Sequence, residues 1–315
     1  MSVTIVTPSH NRAAFLPETI ESVLRQEYRH IEYIVLDDGS TDDTTRVLDG
    51  YSGSLRWESH PNMGEARTVN KGLAMARGEI IGIVNSDDPI LPGLVQRVVE
   101  TFARDERLLA VYPDWVMIDH ASKPVREVQA PPYDYLNMVK WQKCFIGPGA
   151  FIRRRALSLE PARNPGYRFI GDFEYWLRLS LHGPFARIPE TLATHRVHPV
   201  SASAERGQAS AQEHMRLVEE YFTRADLPPA VRRVRNEAYG NAAYLAARAC
   251  MASSLSEARE YFLRSLRHDP ACYLKWRPER LIVLLAAFLP ARLSNRVRVF
   301  LERQAKSPMH YYGPS

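Results

Sequence analysis

A short apolar run, Ile80–Val84, ends abruptly in Asn85-Ser86-Asp87-Asp88. A second run, Ile31–Leu36, ends in Asp37-Asp38-Gly39-Ser40. Both runs have strand length and β-branched content. Adjacent carboxylates repel, so each pair is costly unless water, a cation or a hydrogen-bond donor compensates. Singly, each reads first as a solvated turn, because Asp, Asn and Gly favour turns and Pro89 and Pro92 suit a loop before a helix. Together they say more. In a parallel sheet the two strand ends lie on one edge, where four carboxylates exceed what turn chemistry needs. No Gly-x-Gly-x-x-Gly follows the first strand, and no Gly-x-x-x-x-Gly-Lys occurs. Without a glycine-rich phosphate loop, a divalent cation on carboxylates is the other way to neutralise a diphosphate. An oxygen-rich, sulfur-free site suits a hard cation, Mg²⁺ or Mn²⁺.

The elements that must carry these turns alternate. Ser2–Thr7 reads as a strand broken by Pro8-Ser9-His10-Asn11, then a helix opens near Pro17 with Ile20, Val23 and Leu24. Ser40 and Asp43 have capping-box spacing before a helix bearing Val47 and Leu48. Leu55–Ser59 is a weaker strand, Glu65–Arg77 a helix ended by Gly78, and another helix follows Pro92. Strand–helix alternation predicts a mainly parallel sheet with helices on both faces, an α/β fold. Leu109–Ile118 and Pro124–Val128 read as further strands, and Pro131–Val139 as an aromatic loop.

The 315 residues are 45% hydrophobic and 24% charged, with net charge +5. That is globular composition with room for about two domains. The three cysteines are far apart with no Cys-x-x-Cys, so neither a disulfide framework nor a zinc–cysteine site is expected. No secretory signal opens the chain, and the longest apolar stretch, Leu281–Leu289, is too short to span a bilayer. The expectation is a cytoplasmic protein, soluble or held at the inner face of a membrane, with no nucleic-acid partner.

The order T-I-V-T-P-S-H-N-R, V-L-D-D-G-S-T-D-D-T and N-M-G-E-A-R-T-V-N-K-G-L-A-M-A-R-G-E-I-I-G-I-V-N-S-D-D resembles a family 2 glycosyltransferase of the GT-A fold. The resemblance runs from about Ser2 to Ser203. It implies a Rossmann-like catalytic domain, residues 1–205, and inverting transfer of a sugar from a nucleotide-diphospho-sugar donor to a hydroxyl. It implies that Pro8, His10 and Asn11 border the nucleoside and that Asp37 accepts from the base. Asp38 and Ser40 would shape the turn. Asn70 and Gly72 match the family's Asn-x-Gly. Val69 stands where the family often has arginine, and Arg67 is two residues away, each residue turning the helix about 100°. Asp87 and Asp88 match the metal motif, with Asn85 replacing a carboxylate. Asp172, in F-I-G-D-F-E-Y-W-L-R-L, matches the catalytic base, with Gly171 replacing a Glu. Read by residue type alone, Asp172 is equally a helix N-cap. Glu174 and Arg178 can pair along the outside of that helix. T-H-R-V-H-P-V-S resembles a further segment, in which Arg196 would contact phosphate and His198 the metal or diphosphate.

Arg153-Arg154-Arg155 reads as a solvated turn or as an attractor of a phosphate-bearing acceptor. From 206 to 315 the pattern is helical: Gln208–Phe222, Val231–Ala252, and a helix capped by Ser254 and Glu257, with Ala258-x-x-x-Phe262 resembling half a tetratricopeptide unit. The tail joins an apolar stretch to Arg292, Arg296, Arg298 and Arg303, suited either to peripheral membrane contact or to packing. Membrane contact would suit a lipid-linked rather than a free saccharide acceptor. Two other function classes fit parts of the pattern: nucleotidyl transfer, and a non-catalytic sugar-nucleotide or partner-binding module.

Overall fold

A computed structural model describes residues 1–197, 208–251, 253–271, 273 and 278–289. The chain forms two compact units. The first comprises residues 1–133 and 144–199, the second residues 134–143 and 200–315. The boundary expected at 205/206 omits the ten-residue excursion at 134–143.

The first unit holds one eight-stranded sheet. Its parallel part is β3 (Arg56–Ser59), β2 (Ile31–Asp37), β1 (Val3–Ser9) and β4 (Ile80–Ile83), in that spatial order. β7 (Phe151–Arg153) pairs antiparallel with β4, and β5 (Ala110–Ile118) antiparallel with β7. β6 (Pro124–Val128) and β8 (Phe185–Arg196) flank β5, antiparallel and parallel respectively. The chain steps outward one way through β1, β2 and β3, then returns to the other side of β1 as β4. That reversal opens a crevice at the C-terminal ends of β1 and β4, where ligands bind in such sheets.

Alternation along β1 explains the two layers. Val3 and Ile5 join Leu16 and Ile20 of α1 (Leu16–Leu24) and Val95, Val98 and Phe102 of α4 (Leu94–Arg104) in one core. Val6 faces the other way, under α3 (Glu65–Met75). There the helix comes so close that a Cβ on Gly72 would overlap Val6 Cγ1 and lie 3.3 Å from Leu36 Cδ1. Gly72→Ala should therefore cost about 1–3 kcal/mol of overpacking, although alanine gains about 1 kcal/mol over glycine in an open helix. Urea unfolding measures the difference, and a stabilised variant would show that the contact is not tight.

Three local expectations are corrected. α2 (Thr44–Asp49) begins after Asp43 with no side-chain cap, because the Ser40 hydroxyl accepts from the Asn11 amide (2.8 Å) instead. The predicted aromatic loop contains α5 (Tyr135–Trp141), because Asp134 caps it by accepting from the Asn137 amide (2.9 Å). The arginine run does not reach the crevice. Arg153 pairs with Ile80 at the opposite end of β4, its guanidinium donating to Leu108 O and Asp105 O, and Arg155 donates to Glu106 O and Arg107 O.

The second unit packs α5 with α8 (Gln208–Tyr221), α9 (Pro229–Arg233), α10 (Arg235–Cys250), α11 (Leu255–His268) and α12 (Pro278–Ala287). The helix expected over 231–252 is two helices, α9 and α10, meeting at Val234. Ser254 caps α11 by accepting from the Glu257 amide, and Ala258 and Phe262 are fully buried. Buried Asn241 donates to Lys140 O (2.7 Å) and accepts from Arg280 (2.6 Å), which fixes α5 in this unit. Among the described residues no helix is long and apolar enough to cross a membrane. Arg292, Arg296, Arg298 and Arg303 lie outside the described residues, as do His198 and Cys272.

Candidate functional site

The crevice is lined by three chain segments. β1 runs through Pro8 to Ser9, in register with Leu36 and Asp37 of β2. Beyond it His10 is exposed, its Nδ1 bonded to Asp38 O (2.9 Å). Asn11 takes a left-handed φ of 52°. Its side-chain oxygen accepts from the Thr41 amide (2.8 Å), fastening the loop after β1 to the turn after β2. Gly39 belongs to that turn, with φ 70° and no room for a Cβ beside the Asn62 amide.

Both aspartates of the β2 turn are buried and supplied with protein donors. Asp37, fully buried, accepts from Ser59 Oγ (2.7 Å) and the Ser40 amide (3.3 Å). Asp38 accepts from the Met63 (2.7 Å) and Gly64 (3.0 Å) amides, tying the end of β2 to the entry of α3. His60 Nδ1 lies 3.6 Å from the same carboxylate.

The turn after β4 divides its two aspartates. Asp88 is 4% exposed. It accepts from the Arg196 amide (2.7 Å) on one oxygen and from Asn85 Nδ2 (3.0 Å) on the other, with His195 Nδ1 3.6 Å away. Asp87 is only partly buried and meets Arg12 Nε at 3.2 Å. The four carboxylates share an edge but do not form a cage. Among the described residues no group of three or more His, Cys, Asp or Glu could hold a metal ion. Asp87, beside exposed Asn85, is thus the more accessible carboxylate of the pair. Such a donor set fits a hard cation whose remaining ligands are phosphate oxygens rather than protein groups.

Arg196 turns inward. Its side chain is fully buried. It donates to Asp87 O (2.9 Å), Asp119 O (2.9 Å), Ser122 Oγ (3.0 Å) and Glu18 (2.6 Å), and it stacks on Phe15 at 4.8 Å. Its guanidinium holds the acidic turn from behind. Arg67 is exposed and donates to Met63 O (3.2 Å) within its own helix entry.

Asp172 lies in the first turn of α7 (Gly171–Leu179). Ile170 occupies the N-cap position, and Asp172 Oδ1 accepts from the adjacent Phe173 amide (2.8 Å). Glu174 pairs with Arg178 (2.9 Å), but the pair is buried rather than on the outside. Arg178 also donates to Glu160 (3.1 Å), Pro161 O (2.8 Å) and Ala162 O (2.9 Å), so it clamps the approach to α7. Asn70 clamps the same approach from α3. Its amide donates to Arg163 O and accepts from Arg163 N–H, both at 2.8 Å.

Four groups beside the site had no role in the sequence reading: Arg12, His195, Cys144 and Arg163. Burial pushes the Cys144 thiol well up; the Asp172 carboxylate adds to this, and Arg163 opposes it. Arg12 directly follows the His-Asn pair, yet nothing in its spacing identifies a carboxylate 75 residues on.

Residues 4–159 match the family described as Glycosyl transferase family 2. A chondroitin synthase from Escherichia coli is 27% identical over 226 residues, which is 70% of this chain but only 33% of that protein. The chain is similar in fold to S. aureus TarS 1–349 in complex with UDP-GlcNAc, with TM-score 0.65 and 16% identity, covering 99% of this chain and 94% of that one. It is also similar to the mannosyltransferase PcManGT from Pyrobaculum calidifontis in complex with GDP-Man and Mn²⁺, with TM-score 0.61 and 18% identity, covering 96% and 84%.

Proposed function

Because the chain has the GT-A architecture and, across residues 4–159, belongs to glycosyl transferase family 2, we propose that it moves a sugar from a nucleoside-diphosphate donor to a hydroxyl acceptor with inversion. The setting would be cell-surface polysaccharide or glycolipid synthesis. One observation carries this reading: at the β1–β4 reversal, the loop bearing His10 and Asn11 meets an acidic turn in which Asp87 is accessible and Asp88 is locked.

The nucleoside lies against Pro8, His10 and Asn11, over the turn that Asp37 and Asp38 hold in shape. Asp172 takes the proton of the acceptor hydroxyl as that oxygen bonds to the anomeric carbon. The electron pair of the breaking carbon–oxygen bond leaves with the diphosphate. One displacement from the opposite face inverts the centre, and no covalent intermediate is needed. Asp87 would hold a divalent cation, which would supply charge neutralisation for the leaving diphosphate. Arg12 supports that carboxylate, while Arg196 and Asn85 keep Asp88 in place behind it.

The acceptor in this reading is a saccharide, free or lipid-linked. A lipid-linked acceptor is favoured by the end of α12, where Leu285 is 56% and Phe288 46% exposed beside Arg259. That surface would bring the protein to the inner face of a membrane.

The test is a thermal-shift and calorimetric panel of UDP, dTDP and GDP, each with and without Mn²⁺. One of them should raise the melting temperature with Mn²⁺ present; at a hundredfold excess over Kd the stabilisation is about 2.7 kcal/mol. No shift and no heat with any of them would overturn the reading.

A further inference from the structure

Arg163 is set up in a way that structural need alone does not explain. Its backbone is gripped at both the N–H and the carbonyl by Asn70, each bond 2.8 Å long. Its side chain is 16% exposed, yet its nearest carboxylate, Glu65 of α3, is 3.6 Å away and itself 55% exposed. The buried Nε finds no hydrogen-bond partner among the described residues. A guanidinium carries five donors, and withdrawing it from water without acceptors is costly. The hydroxyl of Tyr175, a residue 2% exposed, also lacks a hydrogen-bond partner among the described residues. Burial pushes that phenol up to about 12, with Arg178 and then Arg163 opposing. Arg163 and Asp172 both act on the Cys144 thiol. A fixed, under-satisfied cation therefore sits next to Asn164, whose carbonyl lies 4.0 Å from where a Cβ on Gly171 would be, at the start of the helix that carries the carboxylate assigned to proton transfer.

We infer that Arg163, held by Asn70, is a substrate-binding residue that receives a phosphate group of the donor. This rests on the transferase reading above. The donor is favoured over the acceptor because Asn70 ties Arg163 to α3, and α3 packs on β1 and β2, whose ends form the nucleoside side of the crevice. Asn70 then acts through Arg163 rather than by touching the nucleotide. Guanidinium and phosphate are matched in fork geometry, and lysine supplies only a point charge in that place.

The experiment is calorimetry on the full chain with Mn²⁺, using whichever of UDP, GDP or dTDP binds the wild type, together with the matching nucleoside. Arg163→Gln should weaken the diphosphate about 10- to 100-fold, as for loss of a charged hydrogen bond. It should leave the nucleoside within about twofold. Arg163→Lys, which keeps the charge and most of the stem, should recover part of the loss, and it decides the matter if the glutamine variant does not fold. Unchanged diphosphate binding in these variants overturns the inference while the transferase reading stands. So does a parallel loss of nucleoside and diphosphate with a lower melting temperature, which would mark Arg163 as structural. Failure of the wild type to bind any of the three diphosphates defeats the transferase reading itself.

Discussion

Asp172→Asn is expected to lower turnover by about 10²- to 10⁴-fold, the usual contribution of a positioned general base. The substitution is close to isosteric. Its side-chain oxygen can still accept from the Phe173 amide, as Asp172 Oδ1 does at 2.8 Å, so the first turn of α7 should persist. What disappears is the capacity to take a proton. Nucleotide affinity should stay within about twofold, because no bond joins Asp172 to the β1, β2 or β4 turns in this arrangement. Release of nucleoside diphosphate, followed with and without acceptor, measures the first quantity, and calorimetry the second. Turnover retained in the asparagine variant would remove Asp172 from the chemistry. A loss confined to nucleotide binding would move it to the donor side.

Arg196→Ala is expected to destabilise the first unit by about 3–5 kcal/mol, because several charge-assisted hydrogen bonds are lost and the carbonyls of Asp87 and Asp119 lose this donor. The melting temperature should fall by on the order of 10 °C. The side chain is withdrawn from water and reaches four oxygens on three separate segments: the acidic turn, α1 and the β5–β6 turn, which supplies two of them. No single substitute meets all of these, so lysine should recover only part. Nucleotide affinity of the folded fraction should fall as well, through a looser Asp87–Asp88 turn. A variant with wild-type melting temperature but weak diphosphate binding would instead make Arg196 a direct phosphate ligand, as the sequence pattern implied. Differential scanning fluorimetry and titration on the same sample separate the two.

The alternating strands and helices of residues 3–104 were legible because buried parallel strands read as apolar runs and their helices carry 3.6-residue periodicity. The acidic strand ends were legible for the same reason, since a polar pair closing an apolar run marks the edge of a sheet. The helix at 135–141 was not. Its aromatic, polar-interleaved sequence has weak periodicity, and its start depends on the bonds between Asp134 and Asn137. The outward placement of Glu174 failed because periodicity gives the face of a helix but not what covers it. Here the segment at 160–162 folds over that face.

Local composition and spacing carried the resemblance to the family, the strand–helix order and the candidate acids. The tertiary structure alone decided which acid is accessible. Asp87 and Asp88 are neighbours of identical chemistry, yet one meets Arg12 at the crevice and the other is sealed by the Arg196 amide and Asn85. Burial and hydrogen-bond partners come from residues 75 and 108 positions away, and no local pattern encodes contacts at that separation. The same holds for Arg163, whose unpartnered Nε follows from a backbone position that Asn70, 93 residues earlier, holds.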